Sequence, residues 1–443
     1  MARRGLRRLT TFQIIAFGFA TAILAGALLL CLPLASNAHK ATDFLTTLFT
    51  ATSAVCVTGL VLVDTATHWS PFGQFIILLL IQIGGIGVVT VTVTAMMAAG
   101  RKIDLMQRDM MRYSVSSGQI GGIVQLTRFI VKAVFLVELL GALVLSSVFV
   151  PQFGWGKGIW YSVFHSVSAF CNAGFDLMGI KGSFSSLTTY VADPLVNLTI
   201  MALIIIGGLG FLTWKDILQN HFHFRRFKLQ TKIILAATVF LIVIPAVLFY
   251  FFEYGQAVGA KRVWLSVFQS VTTRTAGFNT ANLCALSDNG ILLMIMLMLI
   301  GGSPGSTAGG MKTTTAAVLM GWFWAALKRE RYPEYFQRRI AQEAINSAIA
   351  ILMLYMSLFL FGAMLISCFD HVPLLAAMFE TASAVGTVGL SLGLTPTLSS
   401  LSHMLLILLM FIGRVGGLTL AYAAKSRLET YTASLPTENI MVG

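Results

Sequence analysis

Charged side chains are scarce in this sequence. Lys, Arg, Asp and Glu make up 11% of its 443 residues, whereas hydrophobic residues make up 57%. Soluble domains carry about 25% charged residues, so the composition excludes an ordinary soluble protein and indicates an integral membrane protein. Acidic residues are scarcer than basic ones: the sequence has 17 Asp and Glu and 30 Lys and Arg, which gives a formal net charge of +13.

Cysteine and histidine are too few and too scattered to build a metal site. The 5 cysteines show no paired spacing, so they predict neither a zinc site nor a disulfide framework. His165, His371 and His403 stand far apart with no paired carboxylate motif, which disfavours a membrane enzyme. No nucleotide-binding glycine pattern or sizeable soluble domain is present, so we expect no covalent cofactor and no energy-coupling module within the chain.

Long apolar runs are what the sequence does contain. Six of them lack any charged residue, and each reaches the ~20 residues that a helix needs to cross the hydrocarbon core. Two weaker runs, one with Lys132 and Glu138 and one with Arg414, bring the predicted spans to eight. The runs cover residues 11–33, 72–99, 129–150, 195–214, 233–252, 291–311, 344–369 and 401–424.

Basic residues cluster before the first span and after every second one. The positive-inside rule assigns that side to the cytoplasm, so both termini are expected there. Topology accounts for the charge bias, and this disfavours a nucleic-acid-binding patch. The clusters contain Arg3, Arg4, Arg7, Arg8, Arg101, Lys102, Arg108, Arg112, Arg225, Arg226, Lys228, Lys328, Arg329, Arg331, Arg338, Arg339, Lys425 and Arg427.

One short motif occurs four times, each time between two spans. A phenylalanine is followed four residues later by a small hydroxyl residue, and then by a Gly-Phe or Gly-Leu pair. The half-helix that carries it is about 12 residues, or ~18 Å, too short to cross the membrane. Irregular backbone at membrane depth is tolerated only when it is buried in protein or lines water. The copies begin at Phe49, Phe164, Phe268 and Phe379.

All four repeats have the same orientation because each contributes two spans. This disfavours symporters built from inverted halves. We predict an all-α integral membrane protein of four pseudo-symmetric helix–pore-helix–filter–helix repeats around a central pore, with eight membrane-spanning helices. The predicted units are residues 1–100, 101–218, 219–325 with a broken sixth span, 326–424, and a cytoplasmic tail at 425–443.

The segments after the half-helices have the composition of a cation filter. Rings of backbone carbonyls can replace the water of an alkali cation, and glycine permits the dihedral angles that turn carbonyls toward an axis. The negative C-terminal ends of the half-helices would favour a cation. Four re-entrant turns that merely require glycine are the alternative. The predicted filter residues are Val57, Thr58, Gly59, Asn172, Ala173, Gly174, Thr275, Ala276, Gly277, Thr387, Val388 and Gly389.

The third filter segment is one residue shorter than the others. Phe268 and Gly277 are nine positions apart (277 − 268), whereas Phe49 and Gly59 are ten apart (59 − 49). We therefore expect an imperfect fourfold ring.

A glycine-rich stretch interrupts the sixth span, where a helix must break. Backbone broken beside a filter would obstruct the pore, so we predict a gate there. A plain structural kink is the alternative, and the spacing before Lys312 does not fit a phosphate-binding loop. The predicted gate residues are Ser303, Pro304, Gly305, Ser306, Thr307, Ala308, Gly309, Gly310, Lys312 and Arg414.

Arg414 stands where the other repeats have Gly85, Gly208 and Gly302. A charge within a span is a functional hypothesis by default: it would repel cations and could donate to carbonyls of the loop. A buried ion pair is the alternative. The glycines beside these positions indicate close helix packing, a role facing the pore, or both.

Three further charged residues lie inside membrane segments. Arg274 and Glu380 fall in a filter or half-helix segment, where they would brace the filter and could pair with each other. Glu138 is expected to be a packed, hydrogen-bonded residue rather than an ion ligand.

These motifs resemble the KtrB/TrkH/HKT superfamily of potassium transporters over essentially the whole chain. The resemblance rests on the four filter segments, on residues 272–278 in the third of them, and on Gly413-Arg414-Val415-Gly416-Gly417. The chain lacks an extra pair of N-terminal spans, so it is more similar to the KtrB branch than to the TrkH branch.

The resemblance implies potassium uptake through a filter centred on the four repeat glycines, driven by the membrane potential and gated by an intramembrane loop. It also implies a homodimer in a bacterial cell membrane, regulated by a cytoplasmic nucleotide-binding ring of the KtrA type. That ring would dock on the basic loops and on residues 426–443, and sodium could act as an activator. A sodium-selective pore and a sodium-coupled symporter of another small solute are the alternatives.

Overall fold

The computed structural model describes residues 10–98, 105–114 and 121–417. In this part of the chain, α-helices supply almost all regular structure, and the short strands β1 (Glu334–Tyr335) and β2 (Arg338–Arg339) pair antiparallel. The N-terminal basic cluster and the predicted cytoplasmic tail lie outside the described residues. The helices are α1 (Thr11–Leu30), α2 (Phe44–Val55), α3 (Thr65–His68), α4 (Pro71–Ile86), α5 (Val88–Ala98), α6 (Leu105–Ser114), α7 (Ile123–Phe153), α8 (Trp155–Phe170), α9 (Pro194–Gly208), α10 (Phe211–Gln219), α11 (Leu229–Phe252), α12 (Ala260–Thr272), α13 (Asp288–Leu299), α14 (Thr313–Leu327), α15 (Gln342–Asp370), α16 (Leu374–Gly386) and α17 (Ser400–Val415).

The helices repeat one pattern four times. A long helix (α1, α7, α11, α15) packs against the short helix that follows it (α2, α8, α12, α16), and a loop then leads to a second apolar helix (α4, α9, α13, α17). The short helices contain 12 to 16 residues, too few to cross a bilayer. The all-α membrane fold with pore-type helices is therefore confirmed, whereas the exact boundaries of the four units stay a prediction.

A buried phenylalanine anchors each short helix. The first residue of each motif is completely inaccessible to solvent. Such a ring fixes its helix by close packing, because a membrane interior supplies little hydrophobic driving force between helices. The four rings belong to Phe49, Phe164, Phe268 and Phe379.

Only the first helix of each repeat is a long, continuous span. Four helices in the described part are long and apolar enough to cross a membrane, and two bent pairs raise this number to six. Pro71–Ile86 meets Val88–Thr94 at 97°, and Pro194–Gly208 meets Phe211–Gln219 at 93°. The spans predicted over residues 72–99 and 195–214 are therefore not straight helices, because each contains a sharp bend.

A glycine in the left-handed region accounts for the bends. Gly87 and Gly210 have φ of 93° and 89°, and Gly416 has φ of 91° just after α17. L-residues rarely adopt this backbone, so glycine permits the chain to leave the helix there. In the third repeat the corresponding residue is Pro304, three positions after Gly301 as Gly87 is after Gly84, and the chain forms a loop between Leu299 and Thr313.

Candidate ion pathway

The loop after each short helix repeats the same unusual backbone. A residue other than glycine has positive φ, and the glycine two positions later also has positive φ, between 69° and 93°. A β-branched residue in this region costs of order 1–3 kcal/mol, so it persists only where the surrounding structure holds it. The residues other than glycine are Val57, Asn172, Thr275 and Thr387, with φ between 51° and 67°.

The four filter glycines form a closed ring. Each lies against the backbone carbonyl of the next segment in chain order, and the fourth lies against the first. A Cβ on Gly59 or on Gly277 would lie 2.5 Å from the neighbouring carbonyl oxygen, and one on Gly174 would lie 2.9 Å from it. The contacts are Gly59 with Ala173, Gly174 with Ala276, Gly277 with Val388, and Gly389 with Thr58.

The hydroxyl residue of the motif holds the filter backbone in place. In the first and fourth segments the hydroxyl accepts from the N–H of the glycine, whereas in the second and third it donates to the carbonyl of the phenylalanine after the glycine. The pairs are Ser53 with Gly59 and Ser383 with Gly389, both at 3.0 Å, Ser168 with Phe175 at 2.7 Å, and Thr272 with Phe278. The repeated hydroxyl therefore has a structural role that the motif alone does not reveal.

The third segment, which is one residue shorter, differs from the others at the end of its short helix. The N–H of Ala276 donates to the backbone carbonyl of Thr272, four residues back, at 3.0 Å. The N–H of Thr58 instead donates to the backbone carbonyl of Ser53, five residues back, at 2.8 Å. Gly277 still takes its place in the ring, so the shorter segment changes the last helical turn rather than the ring.

A cavity of about 370 Å³ and one of about 670 Å³ lie on the two sides of this assembly. All four ring glycines line the larger one, which we call the filter-side cavity, together with Asp64 and Asp176. The pKa of the Asp176 carboxyl is raised to about 6, mainly by burial and also by the nearby charge of Asp64, while hydrogen bonds from the Met178 N–H and the Ser186 side chain oppose the rise. This cavity presents oxygen atoms and negative charge to an approaching cation.

The loop between α13 and α14 lies against two filter segments. A Cβ on Gly309 would collide with Thr387 Oγ1 in the fourth segment, and one on Gly310 would lie 2.9 Å from the Gly386 carbonyl oxygen. On the other side, the N–H of Ser303 donates to the Gly208 carbonyl at 3.0 Å. The loop therefore reaches from the second repeat to the fourth beside the ring.

Thr307 is the best-connected residue of this loop. Its buried hydroxyl donates to the carbonyl of Phe170, the last residue of α8, at 3.0 Å, and accepts from Asn172 Nδ2 at 3.0 Å. Its N–H donates to the Gly207 carbonyl at 3.3 Å. One loop residue thus contacts a short helix, a filter segment and a second helix of the same repeat.

Arg414 joins three repeats through backbone carbonyls. Nη1 donates to the Thr307 carbonyl, and Nη2 donates to the carbonyls of Gly84 and, at 3.4 Å, Gly85. Within the described residues its partners are carbonyls and not carboxylates. The contact with the loop is the one that the sequence analysis anticipates, whereas the alternative of a buried ion pair finds no carboxylate there.

Lys312 adds a second basic side chain beside the loop. Its Nζ donates to the carbonyls of Ala308 at 2.8 Å and Gly309 at 3.3 Å. Lys312 and Arg414 both line the smaller cavity, which we call the loop-side cavity, with Gly305, Ser306 and Ala308. The loop and two basic side chains therefore separate this cavity from the ring.

The Gly-Gly-x-Gly pattern of the second helices serves two structural purposes. The first glycine allows close packing: a Cβ on Gly84, Gly207 or Gly413 would collide with a carbonyl near the end of the short helix in its own repeat. The third glycine makes the break. The packing role is among those that the sequence predicts, whereas the break is not predicted, although the repeated third glycine is a signal for it.

The three other charged residues in membrane segments, Glu138, Glu380 and Arg274, differ in their hydrogen-bond partners. Both carboxylate oxygens of Glu138 accept from Gln82 Nε2 at 3.0 Å, in line with a packed, hydrogen-bonded residue. Glu380 instead accepts from Ser391 Oγ and Thr395 Oγ1. The suggested Arg274–Glu380 pair is wrong, because the carboxylate is satisfied by hydroxyl groups and Arg274 Nε is buried without a partner in the described structure.

Comparison with known proteins agrees with this arrangement. The chain is 39% identical to the potassium/sodium uptake protein NtpJ of Enterococcus hirae, covering 100% of this chain and 99% of that protein. It is 39% identical to the Ktr system potassium uptake protein B of Bacillus subtilis, covering 94% and 93%. The crystal structure of the potassium transporter TrkH from Vibrio parahaemolyticus has the same fold, with a TM-score of 0.75 at 17% identity over 96% of this chain and 86% of that one.

The TrkH family model, whose description is cation transport protein, matches residues 10–431. That match covers nearly the whole chain, including all four filter segments, the broken third-repeat helix and Arg414. The chain therefore belongs to the TrkH family of cation transport proteins.

Proposed function

We propose that this protein takes up potassium ions across a bacterial cell membrane through the ring of four filter segments. The observation that carries the proposal is the closed ring, in which the glycine of each segment lies against a carbonyl of the next. Relatives at 36–39% identity are named potassium uptake proteins. The chain would act as a transporter rather than as an enzyme.

The filter would select by replacing the water around the ion. Neutral carbonyl oxygens compensate an alkali cation for its lost hydration, and the short helices point their negative C-terminal ends at the same axis. The driving force would be the membrane potential, which is worth about 2.3 kcal/mol per elementary charge per 100 mV. Potassium is then the cargo of the protein, and no covalent cofactor is needed.

The charge distribution orients the pathway. Exposed basic residues between α10 and α11 and between α14 and α15, such as Arg225 and Arg338, flank the membrane helices, and the positive-inside rule assigns their side to the cytoplasm. Tyr113, next to Arg112, and Phe211, at the start of the helix that leads to Arg225, line the loop-side cavity. The filter-side cavity would then face outward, and both termini would be cytoplasmic.

Residues 303–310, Lys312 and Arg414 would form the gate. In the observed position the loop lies between the ring and the loop-side cavity, and the guanidinium of Arg414 and the amine of Lys312 both donate to its carbonyls. Burying a positive charge beside a pore raises the electrostatic barrier for a cation. Opening would require Thr307 to leave Asn172, Phe170 and Arg414, so the gate moves as a unit rather than residue by residue.

The partners would be a second copy of the chain, membrane lipids and a KtrA-type nucleotide-binding ring in the cytoplasm. The relatives' names describe them as proteins of a Ktr system, which supports a multi-component assembly. The basic cytoplasmic stretches and residues 426–443 would supply the docking surface. Nucleic acid is not an expected partner.

Sodium transport is the second candidate function. It is favoured by one observation: a relative at 39% identity is named a potassium/sodium uptake protein. A sodium-selective pore, sodium coupling to another solute, or sodium as an activator would each make uptake depend on external sodium. Glycine at all four ring positions favours potassium, in line with the family resemblance.

The test is potassium uptake in a bacterium that lacks its own uptake systems. The intact protein should restore growth at low potassium, and Gly277→Ser should weaken the preference for potassium over sodium, because its Cβ enters the ring. Gly156→Ser is the matched control, since a Cβ there meets no atom within 4 Å. Unchanged selectivity in Gly277→Ser would argue strongly against the filter.

Deletion of residues 303–310 tests the gate separately. We expect higher basal flux, because the segment between the ring and the loop-side cavity is removed. Flux equal to or below that of the intact protein, at equal amounts in the membrane, would refute the gate assignment.

A further inference from the structure

We propose that His165 sets the preference for potassium over sodium by holding the outer end of the second filter segment, as Glu380 does for the fourth. Both residues directly follow the phenylalanine that begins the motif, and both side chains are fully buried. The inference rests on the proposed potassium uptake. It makes His165 a positioning residue, which acts on the ion through the backbone that it holds.

One hydrogen bond recurs in the second and fourth repeats. In both, the residue after the motif phenylalanine accepts the N–H of the residue three positions after the ring glycine. The acceptor is His165 Nε2 for Leu177, at 3.3 Å, and Glu380 Oε1 for Leu392, at 3.1 Å. An imidazole and a carboxylate differ in shape and charge, so what the two repeats share at this position is a buried acceptor.

The partners of His165 determine which ring nitrogen carries the proton. Because Nε2 accepts from Leu177, the proton of the neutral imidazole lies on Nδ1. Nδ1 donates to the Tyr161 carbonyl at 2.7 Å. The rings of Phe149 and Phe278 pack against the imidazole, with centroids 5.4 and 6.3 Å away. The ring therefore cannot rotate without losing both hydrogen bonds, and it fixes the Leu177 backbone.

The bond from Leu177 completes a series of bonds along the second segment. Before the ring glycine, the N–H of Ala173 donates to the Ser168 carbonyl at 2.8 Å. After it, the Ser168 hydroxyl donates to the Phe175 carbonyl at 2.7 Å, and His165 holds the residue two positions further out. Discrimination against sodium requires carbonyls that do not follow a smaller ion inward. A segment released at its outer end would therefore select less strongly.

The first and third repeats lack this bond within the described structure. Thr50 Oγ1 donates to the Thr46 carbonyl of its own helix at 2.8 Å. Gln269 Nε2 donates to Met294 Sδ at 3.3 Å, and its Oε1 has no partner among the described residues. Since the segments follow one another around the ring in chain order, the second and fourth lie on opposite sides of the axis. Two opposite walls are thus held at their outer ends, and each of the other two walls lies between them.

Two substitutions separate the two hydrogen bonds of His165. In His165→Gln, the amide oxygen reaches as far as Nε2 and can accept from Leu177, whereas the bond to Tyr161 is lost. In His165→Asn, the shorter amide keeps a donor near the Tyr161 carbonyl but ends before the Leu177 N–H. A role in helix packing alone predicts that the glutamine variant is impaired at least as much as the asparagine variant.

The experiment measures competition between sodium and rubidium for uptake by full-length variants in a bacterium that lacks its own potassium uptake systems. His165→Asn should lower the preference for rubidium over sodium roughly fivefold, as expected when a buried N–H loses its acceptor. His165→Gln should retain most of this preference. Thr381→Val in α16 is the matched control, because the buried Thr381 hydroxyl donates to the Ala377 carbonyl of its own helix, and its preference should equal that of the intact protein.

The outcomes separate this role from the proposed function. No potassium uptake by the intact protein would overturn the function itself. Normal uptake with full selectivity in His165→Asn, or an equal loss in His165→Asn and His165→Gln, would overturn the role of His165 and leave the carbonyl filter standing. If His165→Asn does not reach the membrane, Glu380→Asp decides, because the shortened carboxylate withdraws from Leu392; full selectivity in that variant contradicts the proposal, and reduced selectivity supports it.

Discussion

Replacing Arg414 by methionine should open the gate. The arginine makes one charge-assisted hydrogen bond to the loop, at the Thr307 carbonyl, and two to the first repeat. Of these bonds, only the one to the Thr307 carbonyl would be lost when the loop moves from its closed to its open position. A hydrogen bond to a charged group contributes about 1.5–3 kcal/mol, so its loss should shift the loop equilibrium toward the open state by roughly 10- to 150-fold.

The assay is rubidium flux into liposomes that contain the purified protein without any cytoplasmic partner. Arg414→Met should give higher basal flux. Arg414→Lys should be intermediate, because an ammonium keeps the charge but cannot bridge the loop and the first repeat as a planar guanidinium does. Flux in Arg414→Met equal to or below that of the intact protein, at equal protein content, would refute the reasoning.

Two further predictions concern the ring and the filter-side cavity. With a pKa of about 6, Asp176 is almost fully ionised at pH 7.5 and about one-tenth ionised at pH 5, so acidifying the outside should reduce uptake at low potassium. Asp176→Asn should reduce uptake at pH 7.5, leave uptake at pH 5 nearly unchanged and so flatten this pH dependence; an unaltered pH profile would contradict the role of the carboxylate. Ser383→Ala removes the acceptor for the Gly389 N–H and should lower potassium-over-sodium selectivity while protein abundance stays normal, as measured by competition between the two ions; full selectivity would rule out this brace.

The glycine positions of the proposed filter could be predicted from the sequence because their requirement is local. A left-handed turn near an axis needs glycine, so the same residue recurs at Gly59, Gly174, Gly277 and Gly389. The break in the third repeat, where we propose the gate, could be located for a similar reason, since five glycines and a proline from 301 to 310 leave a helix no continuous path. Both signals depend on the conformational freedom of the backbone, and this freedom follows directly from the positions of glycine and proline in the sequence.

Features that depend on a distant partner could not be read in this way. The bends at Gly87 and Gly210 lie in apolar runs whose composition favours a continuous span. The partners of Arg274 and Glu380 depend on how loops fold over the short helices, and hydroxyl groups satisfy Glu380 in place of the arginine. Likewise, the motif showed Ser53 and Ser168 as a repeated hydroxyl, but their opposite roles as acceptor and donor appear only in the folded filter.

The most direct test of the central claim is to locate the ion. Crystals grown with rubidium in place of potassium would give an anomalous signal at each occupied position. A peak on the axis of the ring, ligated by the carbonyls of Thr58, Ala173, Ala276 and Val388 and abolished by sodium exchange, is the predicted result. Rubidium found only outside the ring, or displaced equally by sodium and potassium, would contradict the claim that these four segments form a potassium filter.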